Sequence, residues 1–96
     1  MPDAVEVRDV PEARRYEARV DGQLAGFAAY RLVPGRITFT HTEVGAEFGG
    51  QGVGDRLAKG ALDDARARGL GVTPLCPFMA AWIRRHPDYA DLVGPA

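Results

Sequence analysis

A chain of 96 residues can build one small hydrophobic core and not two, so residues 1–96 are expected to form a single domain. Its net charge of −1, on 46% hydrophobic and 26% charged residues, supplies no basic field for nucleic acid or an anionic membrane. No apolar run approaches the roughly 20 residues of a bilayer span. The opening "MPDAVEVRDV" carries charge early and has no apolar h-region, unlike a secretory leader. One cysteine, Cys76, excludes an internal disulfide framework and a multi-cysteine zinc site, and makes the cytoplasm the default compartment. No metal site is expected.

"RYEARV" alternates from Arg15 to Val20, with Tyr16, Ala18 and Val20 on one face, and reads as a strand. Asp21-Gly22 is a two-residue hairpin signal, because glycine accepts φ > 0 without steric cost. "LAGFAAYRLV" is the second strand, Pro34-Gly35 turns the chain, and "RITFTHTEV" is the third. Simple alternation sets Ile37, Phe39 and His41 on one face and Thr38, Thr40 and Thr42 on the other. Leu57, Ala58, Ala61, Leu62 and Ala65 then recur at helical spacing, with Arg66 and Arg68 in the last turn and Gly69 as terminator. "GVTPL" is a short fourth strand. Pro77 opens a second helix with the apolar stripe Phe78, Met79, Trp82 and Ile83, ending near Arg85 because Pro87 biases its predecessor away from the α region. "PDYADLV" closes the chain as a short turn or helix. The order β-β-β-α-β-α predicts an α+β fold with a mainly antiparallel sheet and two packed helices.

"FGGQGVGDRL", Phe48 to Leu57, places four glycines directly before a helix. A tight strand-to-helix corner would account for them. A dinucleotide fingerprint does not fit, since Gly50, Gly52 and Gly54 follow G-x-G-x-G and no parallel βαβ unit precedes them. A P-loop lacks its Lys-Ser/Thr pair. A third reading is a pyrophosphate cradle, in which missing Cβ atoms let backbone N–H groups and a helix N-terminus approach an anion.

This loop resembles the acyl-CoA loop of the GCN5-related N-acetyltransferases, R/Q-x-x-G-x-G/A, with Gly49 in the R/Q position, Gly52 as first glycine and Gly54 as last. "FTHTEV", "GGQGVGDRLAKGALDDAR" and "PLCPFMAAWIRRHPDYADLV", with their "CPF" and "HPDY" motifs, resemble the minimal branch of that superfamily, of about a hundred residues. The resemblance runs from Tyr16 to Val93. It implies acetyl-CoA or CoA as ligand and transfer of acetyl to an amine. Backbone near Val44 would pair with the pantetheine arm, and the amides of Gly49, Gly50, Gln51, Gly52, Val53 and Gly54 would hold the pyrophosphate. Phe78 would touch pantetheine, and the third and fourth strands would splay apart to admit the ligand.

Acetyl transfer needs a neutral amine, and a free lysine is less than about 0.1% neutral at pH 7. The superfamily often supplies a tyrosine on its final helix to protonate the leaving thiolate. Here Trp82 and Ile83 occupy that neighbourhood, and Tyr89 lies beyond Pro87. Cys76 is the alternative centre. Pro77 suits the first helical position and makes Cys76 the N-cap, where the helix dipole favours a thiolate; the resembled branch carries a cysteine at this place. His41 is expected to supply the base across the splayed strands, and Glu43 is a further carboxylate on that strand. His86 is read as a cap for the last turn.

Larger superfamily members place helices between their first two strands, and these wall the acceptor site. Val20 instead reaches Gln23 through a two-residue turn, so the acceptor face should be open and suit a protein or peptide amine. The alternative is a non-catalytic CoA-binding or interaction module.

Overall fold

The computed structural model describes residues 5–93. Four antiparallel strands come first: β1 (Val5–Val10), β2 (Arg15–Val20), β3 (Gln23–Val33) and β4 (Arg36–Val44). Helix α1 (Val53–Ala67) crosses over to β5 (Gly71–Pro74), which pairs parallel with β4; α2 (Pro77–Arg85) and a 3-10 segment (Pro87–Val93) follow. The sheet order is β1-β2-β3-β4-β5. The structure thus adds a strand ahead of the expected meander. Val5 and Val7 are half-buried there while Glu6 and Arg8 are exposed, the period-2 pattern of a strand with one solvated face.

The turns follow residue chemistry. Asp21 and Gly22 both take positive φ, 51° and 81°, as a tight two-residue hairpin requires. At the other end of α1, Arg68 is the C-cap and Gly69 takes φ 71°.

Both helices lie on one face of the sheet. Leu57, Ala58, Ala61, Leu62 and Ala65 of α1 and Met79, Trp82 and Ile83 of α2 share a core with Tyr16, Ala18, Ala28, Tyr30, Ile37, Phe39 and Val72. Each large side chain buried in this way is worth roughly 1.5–3 kcal/mol. Gly60 lets α1 close on β1, since a Cβ there would come within 2.9 Å of Val7 Cγ1. The opposite face carries no helix among the described residues. Arg15, Arg19, Phe27, His41 and Glu43 stand on it, and Glu17 is buried there between Arg15 and Arg19. Burial alone would raise the Glu17 pKa, but hydrogen bonds from the two guanidinium groups outweigh that and hold it below its usual value.

One irregularity decides the site. Ala29 pairs with His41 but Tyr30 pairs with Phe39, so Thr40 is an unpaired bulge residue. A bulge reverses the alternation beyond it. Ile37 and Phe39 face the core, Thr40 and His41 are both exposed, and Thr42 and Val44 turn inward.

Candidate active site

β4 and β5 are joined over a short ladder, Arg36 to Phe39 against Gly71 to Pro74. The Phe39 carbonyl then accepts from both Leu75 N, at 3.0 Å, and Cys76 N, at 3.1 Å. Beyond that point the strands part. β5 turns into α2, while Thr40 to Val44 continue with β3 on one side and, among the described residues, no strand on the other. The result is a V with an unpaired backbone edge along β4 and Cys76 at its apex.

Three pieces of chain line the V. Cys76 is the N-cap of α2, with Pro77 at the first helical position, and its Sγ accepts from Met79 N at 3.4 Å. The thiol is buried, at 2% exposure. Thr42, which the bulge turns inward, brings Oγ1 within 3.3 Å of Cys76 Sγ. The N-terminus of α1 arrives beside it: a Cβ on Gly54 would lie 3.0 Å from Phe78 Cζ and 3.6 Å from Val44 Cγ2. Gly54 therefore faces both Phe78 and Val44 at the mouth.

The glycines divide into two kinds. Gly50 and Gly52 take φ 82° and 75°, with nothing within 4 Å of an added Cβ; backbone conformation demands them, and the space around them is open. Gly54 instead leaves room for the end of the Phe78 ring. Gly49 has φ −62°, which any residue adopts. Gly52 caps α1 without a side-chain hydrogen bond, so the first-turn amides from Val53 onward have no partner inside the helix. By contrast, Gly49 N donates to Ala46 O and Gln51 N to Phe48 O. Of the amides in the resembled loop, those of Gly49 and Gln51 are thus already engaged.

The structure does not bring His41 and Cys76 together. The bulge carries His41 to the helix-free face, where its Nε2 is 2.9 Å from Glu43 Oε2 and its ring lies 6.0 Å from that of Phe27. Thr42 occupies the inward place that simple alternation assigns to His41.

The final helix offers no free acid. Trp82 Nε1 donates to Asp55 Oδ1 at 2.8 Å, and Ile83 is buried. The Tyr89 hydroxyl donates to Asp63; that bond, then burial, raises its pKa and further suppresses proton donation at neutral pH. His86 Nδ1 donates to Trp82 O at 2.8 Å, and the imidazole stacks on the Trp82 ring at 3.7 Å. The "HPDY" segment thereby docks onto α1. Asp55, which anchors Trp82, went unnoticed in the sequence because a carboxylate in a first helical turn is ordinary.

Among the described residues, no group of His, Cys, Asp and Glu could hold a metal ion, and no helix is long and apolar enough to cross a membrane.

A parallel strand pair that opens into a V, with a glycine-capped helix aimed at its mouth, defines an acyltransferase-like architecture. The family model of the GCN5-related N-acetyltransferases matches residues 15–92, and the chain belongs to that family. The NMR solution structure of a GCN5-like protein from Staphylococcus aureus superposes with TM-score 0.72 at 26% identity, covering 98% of this chain and 93% of that one. No curated protein sequence matches this chain. Family membership implies acetyl-CoA as donor and an amine as acceptor.

Proposed function

We propose that residues 1–96 act as one domain that binds acetyl-CoA in the V and transfers acetyl to an amine, on a protein or peptide. The observation that carries this reading is the V itself: a β4 edge open beyond Phe39, a helix N-terminus with no side-chain cap and a thiol meet in one place. The residues fit the ligand. Gly50, Gly52 and the first-turn amides of α1 suit a pyrophosphate, the free edge at Val44 suits an amide-bearing pantetheine arm, and Phe78 supplies an apolar wall.

Acetyl-CoA supplies an activated thioester. Within the chain, Cys76 is the nucleophile and Thr42 is the group that can hydrogen-bond its sulfur. In a two-stage transfer, the acetyl carbon bonds to Cys76 Sγ as the CoA sulfur leaves with the proton that Cys76 sheds. The carbon then bonds to the amine nitrogen, which gives one proton back to Cys76. His41, on the helix-free face, takes the proton that an incoming ammonium must first lose. Among the described residues no helix stands between that face and solvent, which suits a large acceptor.

A non-catalytic CoA-binding module is the second reading. It is favoured by the final helix, where Trp82 and Ile83 stand in the place of a phenolic acid. Calorimetric titration of CoA and acetyl-CoA into the full chain tests the shared part. Saturable binding supports both readings; no binding at millimolar ligand overturns both. Hydroxylamine-labile acetylation of Cys76 after mixing with acetyl-CoA supports transfer. Bound cofactor with an unmodified thiol and no amine product supports the module.

A further inference from the structure

Arg56 N donates to Gly52 O at 3.0 Å, so the open first-turn amides of α1 are those of Val53, Gly54 and Asp55. Asp55 also carries a carboxylate, and a negative charge beside those donors opposes any phosphate they hold. That carboxylate is fixed in place. Its Oδ1 accepts from Trp82 Nε1 at 2.8 Å, and His86 Nε2 stands 3.9 Å from the same oxygen. We infer that Asp55 and His86 form a proton-controlled charge pair that sets the affinity of the V for a phosphate ligand. As regulation of the phosphate site, it rests on the acetyltransferase reading above.

The imidazole is oriented for this role. Its Nδ1–H donates to Trp82 O at 2.8 Å, and the ring stacks on the indole at 3.7 Å, 13° from parallel. In the neutral form Nε2 therefore turns a lone pair toward the carboxylate. A second proton enters at Nε2, on the side of Asp55. Without that proton the pair carries the full charge of Asp55; with it the two charges cancel. Histidine ordinarily makes this change between pH 5 and 8. A phosphate ligand is then held more tightly in the acidic part of that range, and by reciprocity its binding favours the imidazolium.

Neighbouring charges supply a constant background. Arg84 and Arg85 precede His86 on α2, and Arg56 follows Asp55 on α1. Further along α1, Lys59 and Asp63 pair with each other at 3.0 Å. In the 3-10 segment Tyr89 donates its hydroxyl to Asp63, and Asp88 is exposed. Carboxylates, ammonium and guanidinium groups ordinarily keep one charge over this range, so His86 is the variable. The side chains of His86 and Asp55 are 38% and 61% exposed. Solvent screening thus makes the effect a few-fold change in affinity.

The probe is dephospho-CoA, whose pyrophosphate keeps its charge across the range, titrated calorimetrically into the full chain at about pH 5.5 and pH 8. Binding to the wild type should be about threefold tighter at the lower pH. His86→Gln should lose that difference. Asp55→Asn, which keeps an oxygen for the indole N–H and so should keep the Trp82 emission, should bind about threefold tighter than wild type at pH 8. The unsubstituted protein supplies an independent reading: at about pH 6.5, bound dephospho-CoA should move the His86 Cε1–H resonance toward its imidazolium position. An undiminished pH effect in His86→Gln, unchanged affinity in Asp55→Asn with its emission kept, or a His86 resonance indifferent to bound ligand each overturns the pair. Any of these in a chain that binds the ligand leaves the acetyltransferase reading intact. No binding at millimolar ligand at either pH removes both.

Discussion

Thr42 Oγ1 stands 3.3 Å from Cys76 Sγ, joining β4 to the start of α2 across the apex of the V. A hydroxyl at this distance can donate to the sulfur, and a hydrogen bond to an ionised acceptor exceeds one between neutral groups. Thr42→Val should therefore slow alkylation of Cys76 by iodoacetamide at pH 7 by about tenfold, the size expected for one charge-assisted hydrogen bond. Thr42→Ser, which keeps the hydroxyl, should stay near the wild-type rate. Equal rates in all three proteins would show that the contact does nothing for the thiol.

The two kinds of glycine should respond differently to alanine. Gly52→Ala puts a Cβ into a left-handed conformation at φ 75° and should cost about 1–2 kcal/mol in denaturant unfolding. Gly54→Ala adds a Cβ 3.0 Å from the end of the Phe78 ring, which is half-buried and can swing. Its stability should stay within about 1 kcal/mol of wild type, because the helix gains propensity, while CoA affinity falls as the ring is displaced. Calorimetry beside unfolding curves separates the two effects.

Two core tyrosines should give the protein an alkaline limit. Tyr16 donates to Asp64 and Tyr30 to Asp9, and Arg68 pairs with both carboxylates. Burial first, and then the hydrogen bond to Asp9, pushes Tyr30 up to about 12; burial followed by Asp64 raises Tyr16 as well. Because the fold favours the neutral phenols, their contribution is complete below about pH 10 and is lost as pH rises through the folded value. Unfolding free energy should fall between about pH 10 and 12 by more than in Tyr30→Phe, which should itself lose roughly 1–2 kcal/mol at pH 7. A parallel decline in both proteins would exclude Tyr30 as a source.

Asp55 ties α1 to α2 through Trp82 Nε1, with His86 stacked on the indole. Asp55→Ala should destabilise by about 1–2 kcal/mol, the cost of leaving a part-buried donor without its partner. The chain has one tryptophan, so its emission reports this contact directly and should shift to the red as the indole loosens. An unchanged spectrum and stability would mean that stacking alone holds the segment.

Most of the architecture was legible because it rests on local signals. Asp21-Gly22, the glycines before α1, the Leu57–Ala65 spacing and Pro77 each act within a few residues, and each marks the element that forms. β1 was equally written, in the alternation Val5-Glu6-Val7-Arg8, but a short edge strand competes with its own charges for notice. The His41–Cys76 pair went wrong for a physical reason. Period-2 counting holds only while pairing is regular, and nothing in "TFTHTEV" announces that Thr40 will be skipped. Only the pairing of β3 with β4 determines which of His41 and Thr42 faces the thiol. The partition of the glycines was likewise invisible, because the nearness of Phe78 to Gly54 is a property of two helices brought together.

The crossover that builds the V also sets an order of assembly. β1 to β4 are joined by short turns, so their contacts close small loops, whereas Ile37 meets Val72 only after the whole of α1 has been spanned. Closing the longer loop costs more chain entropy, and the parallel ladder that repays it is short. The meander can therefore form first, and docking of β5 with α2 completes the molecule late. Such a late, thinly laddered unit is also the first to open, so amides of β5 should exchange with solvent sooner than those of β3. The thiol, its threonine and the open edge of β4 come into register only at that final step, and a ligand bound across the V would act as the clasp that keeps it closed.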